Sequence, residues 1–302
     1  MGNGDVALDC IHDAPDQSMT HLAIAALQLE LSGEDNVDLL LEEIDRTARR
    51  FPWVQMIVLG ELNVTGPLTS FAVALPGDVE NRFKDAARRN GVWLIPGSMF
   101  ERHGGHIYNT ASVIDPDGAV VLRYRKQFPF CPYEQGVSPG DSFAVFDVPG
   151  AGRVGLTICY DMWFPETVRT LAWMGAEIVV CPTMTNTIDR DVELAIARSN
   201  AATNQLYFVS VNAAGRYGVG QSIVVGPDGA VIHKAGSARE VIAVDLDCGL
   251  VRRVRERGMH GLGQTLKSFR DSKLAFPPYG GGRSEFLDRL GPLKLPGRPG
   301  RE

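Results

Sequence analysis

Hydrophobic residues along this chain fall into short unbroken runs, separated by stretches in which they recur every three or four positions. The runs at 21–29, 53–59, 92–96, 154–158, 177–181 and 206–211 have the length and the Gly/Pro flanks of buried strands. Shorter strands are expected at 222–225, 231–233 and 241–246. Residues 107–114 and 119–123 read as a hairpin about Asp115-Pro116-Asp117-Gly118. A second Pro-Asp-Gly-Ala-Val turn, at 227–231, hints at two similar halves. Between the runs the period changes to that of a helix. Val37, Leu40, Leu41, Ile44 and Ala48 share one face of a helix capped by Asp35 or Asn36. Further helices are expected over 79–89, 165–174, 189–203 and 250–257, the third with Leu194, Ala197 and Ala201 inward. Pro165 suits a first helical turn, where its missing N–H costs nothing, and Gly175 suits the end of that helix.

Strands alternating with helices make the chain α/β. No Pro/Ser linker divides it, so one domain is expected over 20–258. Residues 1–19 are polar and aperiodic and read as a disordered leader. From 259 to 302 the pattern fades into a Gly-, Pro- and Arg-rich extension, which either wraps a partner subunit as an oligomer contact or is disordered.

Composition excludes several classes. The 302 residues are 44% hydrophobic, enough for a sizeable core, and carry a net charge of −6. An acidic chain lacks the basic face that nucleic acid or an anionic membrane requires. No apolar run is long enough to span a bilayer and no secretory signal is visible, so a cytoplasmic protein is expected. The cysteines at 10, 131, 159, 181 and 248 form no C-x-x-C pair, which argues for free thiols in a reducing compartment and against a zinc knuckle. His103 and His106, around Gly104-Gly105, read as a flexible loop and not a metal site. Gly215 to Gly220 leads into a strand, whereas a phosphate cradle leads into a helix. The arginines at 252–257 read as a solvated helix face or a subunit contact.

Three residues stand at the ends of apolar or strand segments: Glu61 after Val58-Leu59-Gly60, Lys126 after Leu122-Arg123-Tyr124, and Cys159 after Leu156-Thr157-Ile158. Taken singly, each has a blander reading, because most Glu and Lys side chains are solvated charges and a lone Cys usually packs in a core. If the three strands are neighbours, however, their ends converge on one pocket. A carboxylate beside a thiol can act as general base. A buried ammonium, with a helix N-terminus ahead of Cys159, is expected to lower the thiol pKa and to stabilise an oxyanion.

These segments, in this order, resemble the nitrilase superfamily of carbon–nitrogen hydrolases. The match is carried by Gly155, Ile158-Cys159-Tyr160-Asp161 and Phe164-Pro165-Glu166, by Tyr124-Arg125-Lys126, and by Glu134 with Gly140 six residues on. It continues through Asn212 to Gly215, Gly220-Gln221-Ser222 and Pro227-Asp228-Gly229. The resemblance implies a four-layer αββα sandwich and a Glu61–Lys126–Cys159 triad. Glu61 is then the general base and acid. Lys126 and the Tyr160 backbone N–H stabilise the tetrahedral intermediate, and Glu134 orients Lys126 or the substrate amine. It implies no metal or cofactor, and a homodimer or larger assembly.

Departures from the pattern bear on the branch. Gly60 replaces the usual proline before the first glutamate. Asn200-Ala201-Ala202-Thr203-Asn204 lacks the Arg and Glu of a common family element and is similar to the aliphatic-amidase and formamidase side. Cys159-Tyr160-Asp161 favours amides over nitriles, since nitrilases usually carry Cys-Trp-Glu. The expected reaction is hydrolysis of a small monoamide through a thioester. Nitrile hydrolysis, N-carbamoyl hydrolysis, acyl transfer and a catalytically silent scaffold are the rivals. Trp163, Pro182, Thr183, Met184, Asn186, Phe128 and Tyr133 are candidates for the acyl pocket. Arg190 is the nearest candidate to read a substrate carboxylate.

Overall fold

Period-two alternation inside the buried runs decides the architecture. In the first strand Leu22, Ile24 and Ala26 face one way and Ala25 and Leu27 the other, yet all are buried. Such a strand needs cover on both faces. The computed structural model, which describes residues 20–131, 133–280, 284–291 and 293, provides it.

The first half of the chain runs β1 (His21–Gln28), α1 (Val37–Arg50), β2 (Met56–Leu59), α2 (Asp78–Asn90), β3 (Trp93–Ile95), β4 (Ser98–His103), β5 (His106–Ile114) and β6 (Val120–Arg125). The second half runs β7 (Ala144–Val148), β8 (Gly152–Leu156), α3 (Pro165–Trp173), β9 (Ile178–Thr183), α4 (Arg190–Asn204), β10 (Tyr207–Asn212), β11 (Ile223–Val225), β12 (Val231–Lys234), β13 (Glu240–Asp247), α5 (Cys248–Arg257) and α6 (Thr265–Asp271).

One sheet has the order β13-β1-β2-β3-β5-β4, with β6 on β5; the other has the order β12-β11-β10-β9-β8-β7. Their facing sides share one apolar layer, in which Leu22, Ile24 and Val58 meet Val154, Val180 and Val209. Behind the first sheet, Leu27 and Ile57 pack on Leu40 and Ile44 of α1 and Phe83 of α2. Behind the second, Val179 and Phe208 pack on Leu171 of α3 and Ala197 and Ala201 of α4. The result is the αββα sandwich. β13 returns to pair with β1, His21 opposite Asp247, so the last strand closes the sheet that the first one opens.

Two strands lack the sequence signal of the others. β4 ends in Glu101-Arg102-His103 and lies at a sheet edge, where an apolar run is not needed. β7 is also an edge strand and alternates, with Ala144, Phe146 and Val148 turned inward. Gly104 and Gly105 form the tight turn joining β4 to β5, with φ of 58° and 81°, not the flexible loop expected. The basic stretch of α5 presents the solvated face expected, with Arg252, Arg253 and Arg257 exposed, but two of its arginines also hold neighbouring segments. Arg252 pairs with Glu177 at 2.7 Å, and Arg255 donates to the Gln205 carbonyl at 3.0 Å. These two side chains fasten α5 to the second sheet.

At the start of α1 the Asp35 carboxylate accepts the Val37 N–H at 2.8 Å, while Asn36 Nδ2 reaches the Asn63 carbonyl at 3.0 Å. Asn36 therefore holds the loop after β2 more than it caps the helix. The expected leader at 1–19 lies outside the described residues, as does most of the chain beyond 280. Of the extension, α6 packs Leu266 beside α4, and Phe269, Phe276 and Tyr279 gather over Trp173. Among the described residues no helix is long and apolar enough to cross a membrane.

Candidate active site

β2 and β6 lie in the first sheet, and β8 and β9 in the second. Their C-terminal ends meet at one seam. β2 ends at Leu59, and Gly60 turns the chain so that Glu61 points into the seam. That turn is packed against Gly97 (φ +86°), where a Cβ would lie 2.0 Å from the Gly60 carbonyl oxygen; only glycine fits. The Glu61 N–H donates across the seam to the Thr183 carbonyl at 3.2 Å. Met184 N–H returns a bond to Glu61 Oε2 at 3.0 Å.

Lys126 follows β6, its N–H held by the Asn109 carbonyl at 2.8 Å. Its ammonium lies 2.8 Å from Glu61 Oε1 and 2.5 Å from Glu134 Oε2. Asn109 Nδ2 bridges the same two carboxylates, at 2.8 Å from Glu61 and 2.7 Å from Glu134. Phe130 N–H adds a bond to Glu134 Oε2 at 2.6 Å. The exposures of Lys126, Glu61 and Glu134 are 1%, 3% and 7%, so this ion triad is buried, and a buried ion cluster persists only when every member is paired.

Cys159 stands where β8 passes into a single 3-10 turn, Cys159–Trp163, with Pro165 opening α3 behind it. Its φ of +47° is left-handed, an unfavourable setting for a side-chain-bearing residue that recurs at functional positions. Asp161 anchors the turn. Its Oδ1 accepts the N–H groups of Gln127 (3.1 Å) and Phe128 (2.9 Å), and its Oδ2 accepts the Tyr124 hydroxyl (2.7 Å) and the Ile158 N–H (3.0 Å). One buried carboxylate thus joins the chain on both sides of Lys126 to the chain on both sides of Cys159. Even with four donors, burial pushes Asp161 up to about 6. On the other side of the thiol, Thr185 Oγ1 lies 4.0 Å from Sγ and donates to Glu193 at 2.9 Å. Glu193 is held in turn by Arg190 at 2.9 Å.

The electrostatics differ from expectation at the thiol. Burial raises Cys159 well above its ordinary value, the Glu61 charge raises it further, and Lys126 offsets only part of this. The expected lowering fails chiefly because the thiol is buried, and because the Glu61 charge opposes the pull of the ammonium. Burial also raises Glu61, against the pull of Lys126, and the Glu134 charge adds to the rise. For Lys126 burial acts downward, but Glu61 and Glu134 outweigh it and hold the ammonium well above its usual range. The resting site is therefore a neutral thiol beside an ammonium shared by two carboxylates. Such a site can move a proton from sulfur to carboxylate and can donate hydrogen bonds to an oxygen that gains charge.

The Carbon-nitrogen hydrolase family model matches residues 22–256, most of the chain. The chain belongs to the carbon–nitrogen hydrolase family. It is 31% identical over 261 residues to omega-amidase NIT2 of Homo sapiens, covering 79% of this chain and 93% of that protein. Among solved structures, Nit3 of Saccharomyces cerevisiae, a member of branch 10 of the nitrilase superfamily, superposes with a TM-score of 0.73 at 28% identity, over 78% of this chain and 94% of that one. A cysteine-to-alanine mutant of the amidase from Nesterenkonia sp. AN1, in complex with butyramide, superposes with a TM-score of 0.69 at 26% identity, over 78% and 95%.

In this carbon–nitrogen hydrolase the seam opens into a cavity of about 350 Å³. Glu61, Lys126, Glu134 and Cys159 line it, as do Tyr133, Tyr160, Trp163, Met184 and Asn186. Three expected pocket residues lie elsewhere. Thr183 is fully buried, with its hydroxyl on the Cys181 carbonyl (3.0 Å) and near Ser210 (3.2 Å), because the inward position in β9 faces the sheet interior. Pro182 shares that burial. Phe128 stacks on Phe164, with ring centroids 3.6 Å apart, outside the cavity lining. Arg190 reads no substrate group, since it does not line the cavity and its terminal nitrogens are turned to Glu193, Ser210 and the Gln221 carbonyl. Sequence reasoning missed Asn109, Thr185 and Glu193. Thr185 had a signal, as the neighbour of Met184 at a strand end. Glu193 had none, because an acidic residue in a first helical turn is commonplace.

Proposed function

We propose that this carbon–nitrogen hydrolase is an amidase, cleaving the C–N bond of a small monoamide through a thioester on Cys159. The observation that carries the reading is the buried Lys126 ammonium, held between Glu61 and Glu134 beside the Cys159 thiol. Glu61 takes the thiol proton as sulfur bonds to the acyl carbon. The carbonyl electron pair moves onto oxygen, which receives hydrogen bonds from Lys126 Nζ and the Tyr160 N–H. As the C–N bond breaks, Glu61 returns the proton to the leaving nitrogen, and ammonia or an amine departs. Water, deprotonated by Glu61, then attacks the thioester; the C–S bond breaks, the proton returns to sulfur, and the acid leaves. Glu134 and Asn109 keep Lys126 and Glu61 in place throughout. The names of the relatives, an omega-amidase and an amidase crystallised with butyramide, support the same reading.

Ammonia release is measured across aliphatic amides, aromatic amides, N-carbamoyl amines and nitriles. Release from aliphatic amides, with hydroxamate formed when hydroxylamine is added, is expected. Carboxylate formed from nitriles but not from amides, or carbon dioxide released with the ammonia, overturns the amide assignment.

The raised Glu61 has a pH consequence. The base must be ionised in the free enzyme, so the acid limb of kcat/KM is expected above pH 4.5. Glu134→Gln removes a like charge that holds Glu61 up, and so moves that limb to lower pH. A pH–rate profile of both proteins checks this, and a limb that stays in place removes Glu61 from the role of base.

A further inference from the structure

We infer that the acyl pocket is built for an amide with an uncharged tail and excludes one that ends in a carboxylate. The inference rests on the amidase reading and names its substrate class. Among the described residues five charged side chains line the cavity: the carboxylates Glu61, Glu134, Asp189 and Glu193, and the ammonium of Lys126. Lys126 cannot serve a distant carboxylate, because Glu61 and Glu134 already hold it at 2.8 and 2.5 Å. Arg190, at 2% exposure, stands behind Glu193 with its guanidinium on Glu193, Ser210 and the Gln221 carbonyl. Arg216 lies over the Tyr217 ring at 5.5 Å and does not line the cavity. Among the described residues no cation pairs with Asp189, which accepts the Thr187 hydroxyl at 3.3 Å.

The rest of the wall is largely apolar, with Leu62, Leu68, Phe100, Phe130, Trp163 and Met184. A carboxylate in this cavity loses its hydration to apolar surface and meets like charges where the dielectric is low, so both contributions oppose it. An uncharged tail incurs neither and gains by burial. The volume of about 350 Å³ admits an amide of a few carbons together with its reacting water.

Succinamide and succinamate separate charge from shape, since they differ only in an amide against a carboxylate at the far end. The kcat/KM for succinamide, counted per amide group, is expected to exceed that for succinamate by more than about tenfold. Asp189→Asn is expected to narrow the ratio. Equal or faster turnover of succinamate overturns the inference and leaves the amidase reading intact. Ammonia from none of the amides overturns the amidase reading, and a second readout then decides the pocket. Cys159 is alkylated with iodoacetamide and with iodoacetate, and the rate ratio, followed by mass spectrometry, is compared with that of the free thiol N-acetylcysteine amide. A ratio several-fold larger at Cys159 supports the inference, and a ratio equal to or below that of the free thiol overturns it.

Discussion

Replacing Cys159 by alanine is expected to lower kcat on the best amide by on the order of 10⁴-fold or more, since losing the nucleophile removes the covalent route altogether. The fold should survive. Sγ lies 4.0 Å from the Thr185 hydroxyl and interacts with Glu61, but that carboxylate keeps Lys126, Asn109 and the Met184 N–H, so truncation strands no buried charge. Among the described residues no neighbouring thiol can substitute. Cys181 is the nearest candidate, but its Sγ faces the Cys159 carbonyl at 3.9 Å, away from the cavity lining. Burial also pushes its thiol up to about 12. Ammonia release and a thermal melt of both proteins check the expectation. A variant that keeps more than about a hundredth of the activity, at an unchanged Tm, places the nucleophile elsewhere.

Lys126→Met is expected to damage stability and catalysis together. It leaves Glu61 and Glu134 buried with no cation between them. Breaking a buried ion cluster from one side costs about 3–5 kcal/mol, because the charges left behind are desolvated and repel. The loss depends on pH. Without Lys126 nothing of comparable strength pulls Glu61 down, so at least one carboxylate of the pair titrates far above 4.5 in the folded variant. A group raised in this way is harmless below its unfolded pKa and erodes stability as pH climbs toward its folded one. The variant should therefore approach wild-type stability near pH 4–5 and fall away toward pH 8. The wild type lacks this trend from Lys126, whose contribution is complete below 10.5 and is lost only above that. Urea midpoints at pH 5 and pH 8 test the sign, and a variant equally destabilised at both means that the carboxylates are not repelling. Catalysis falls besides, by about 10²–10³-fold for loss of one oxyanion donor. Adding Glu134→Gln should recover stability at pH 8 but not activity.

The layered fold was legible because buried strands and amphipathic helices leave opposite periodicities. β1, β2, β9 and β10 are largely apolar runs since both of their faces are covered. β4 and β7 were not legible, as edge strands need no such run. Strand ends brought Glu61, Lys126 and Cys159 forward as candidates, and the family resemblance singled them out as a set. Their electrostatics were not legible. The thiol was expected to be acidified by a nearby ammonium, and sequence does not reveal how deeply the thiol is buried or that Glu61 and Glu134 share that ammonium. Asp161 was visible in the cysteine motif, but its task was not, because Tyr124, Gln127 and Phe128 reach it only across the seam. Thr183 was misjudged by one strand face, and Arg190 by the unseen carboxylate of Glu193.

The seam has a consequence for how the protein matures. The residues proposed as acid–base groups come from the first half of the chain, and the thiol with its Thr185–Glu193 support comes from the second. Neither half contains a working centre, and the first sheet is itself complete only when β13 pairs with β1 from the far end of the sequence. Contacts this distant along a chain are late events in folding. Helix content and local hairpins can therefore return during refolding while the enzyme is still inert. Turnover returns only when the two sheets have docked in register, so regained activity is a clock for that final step.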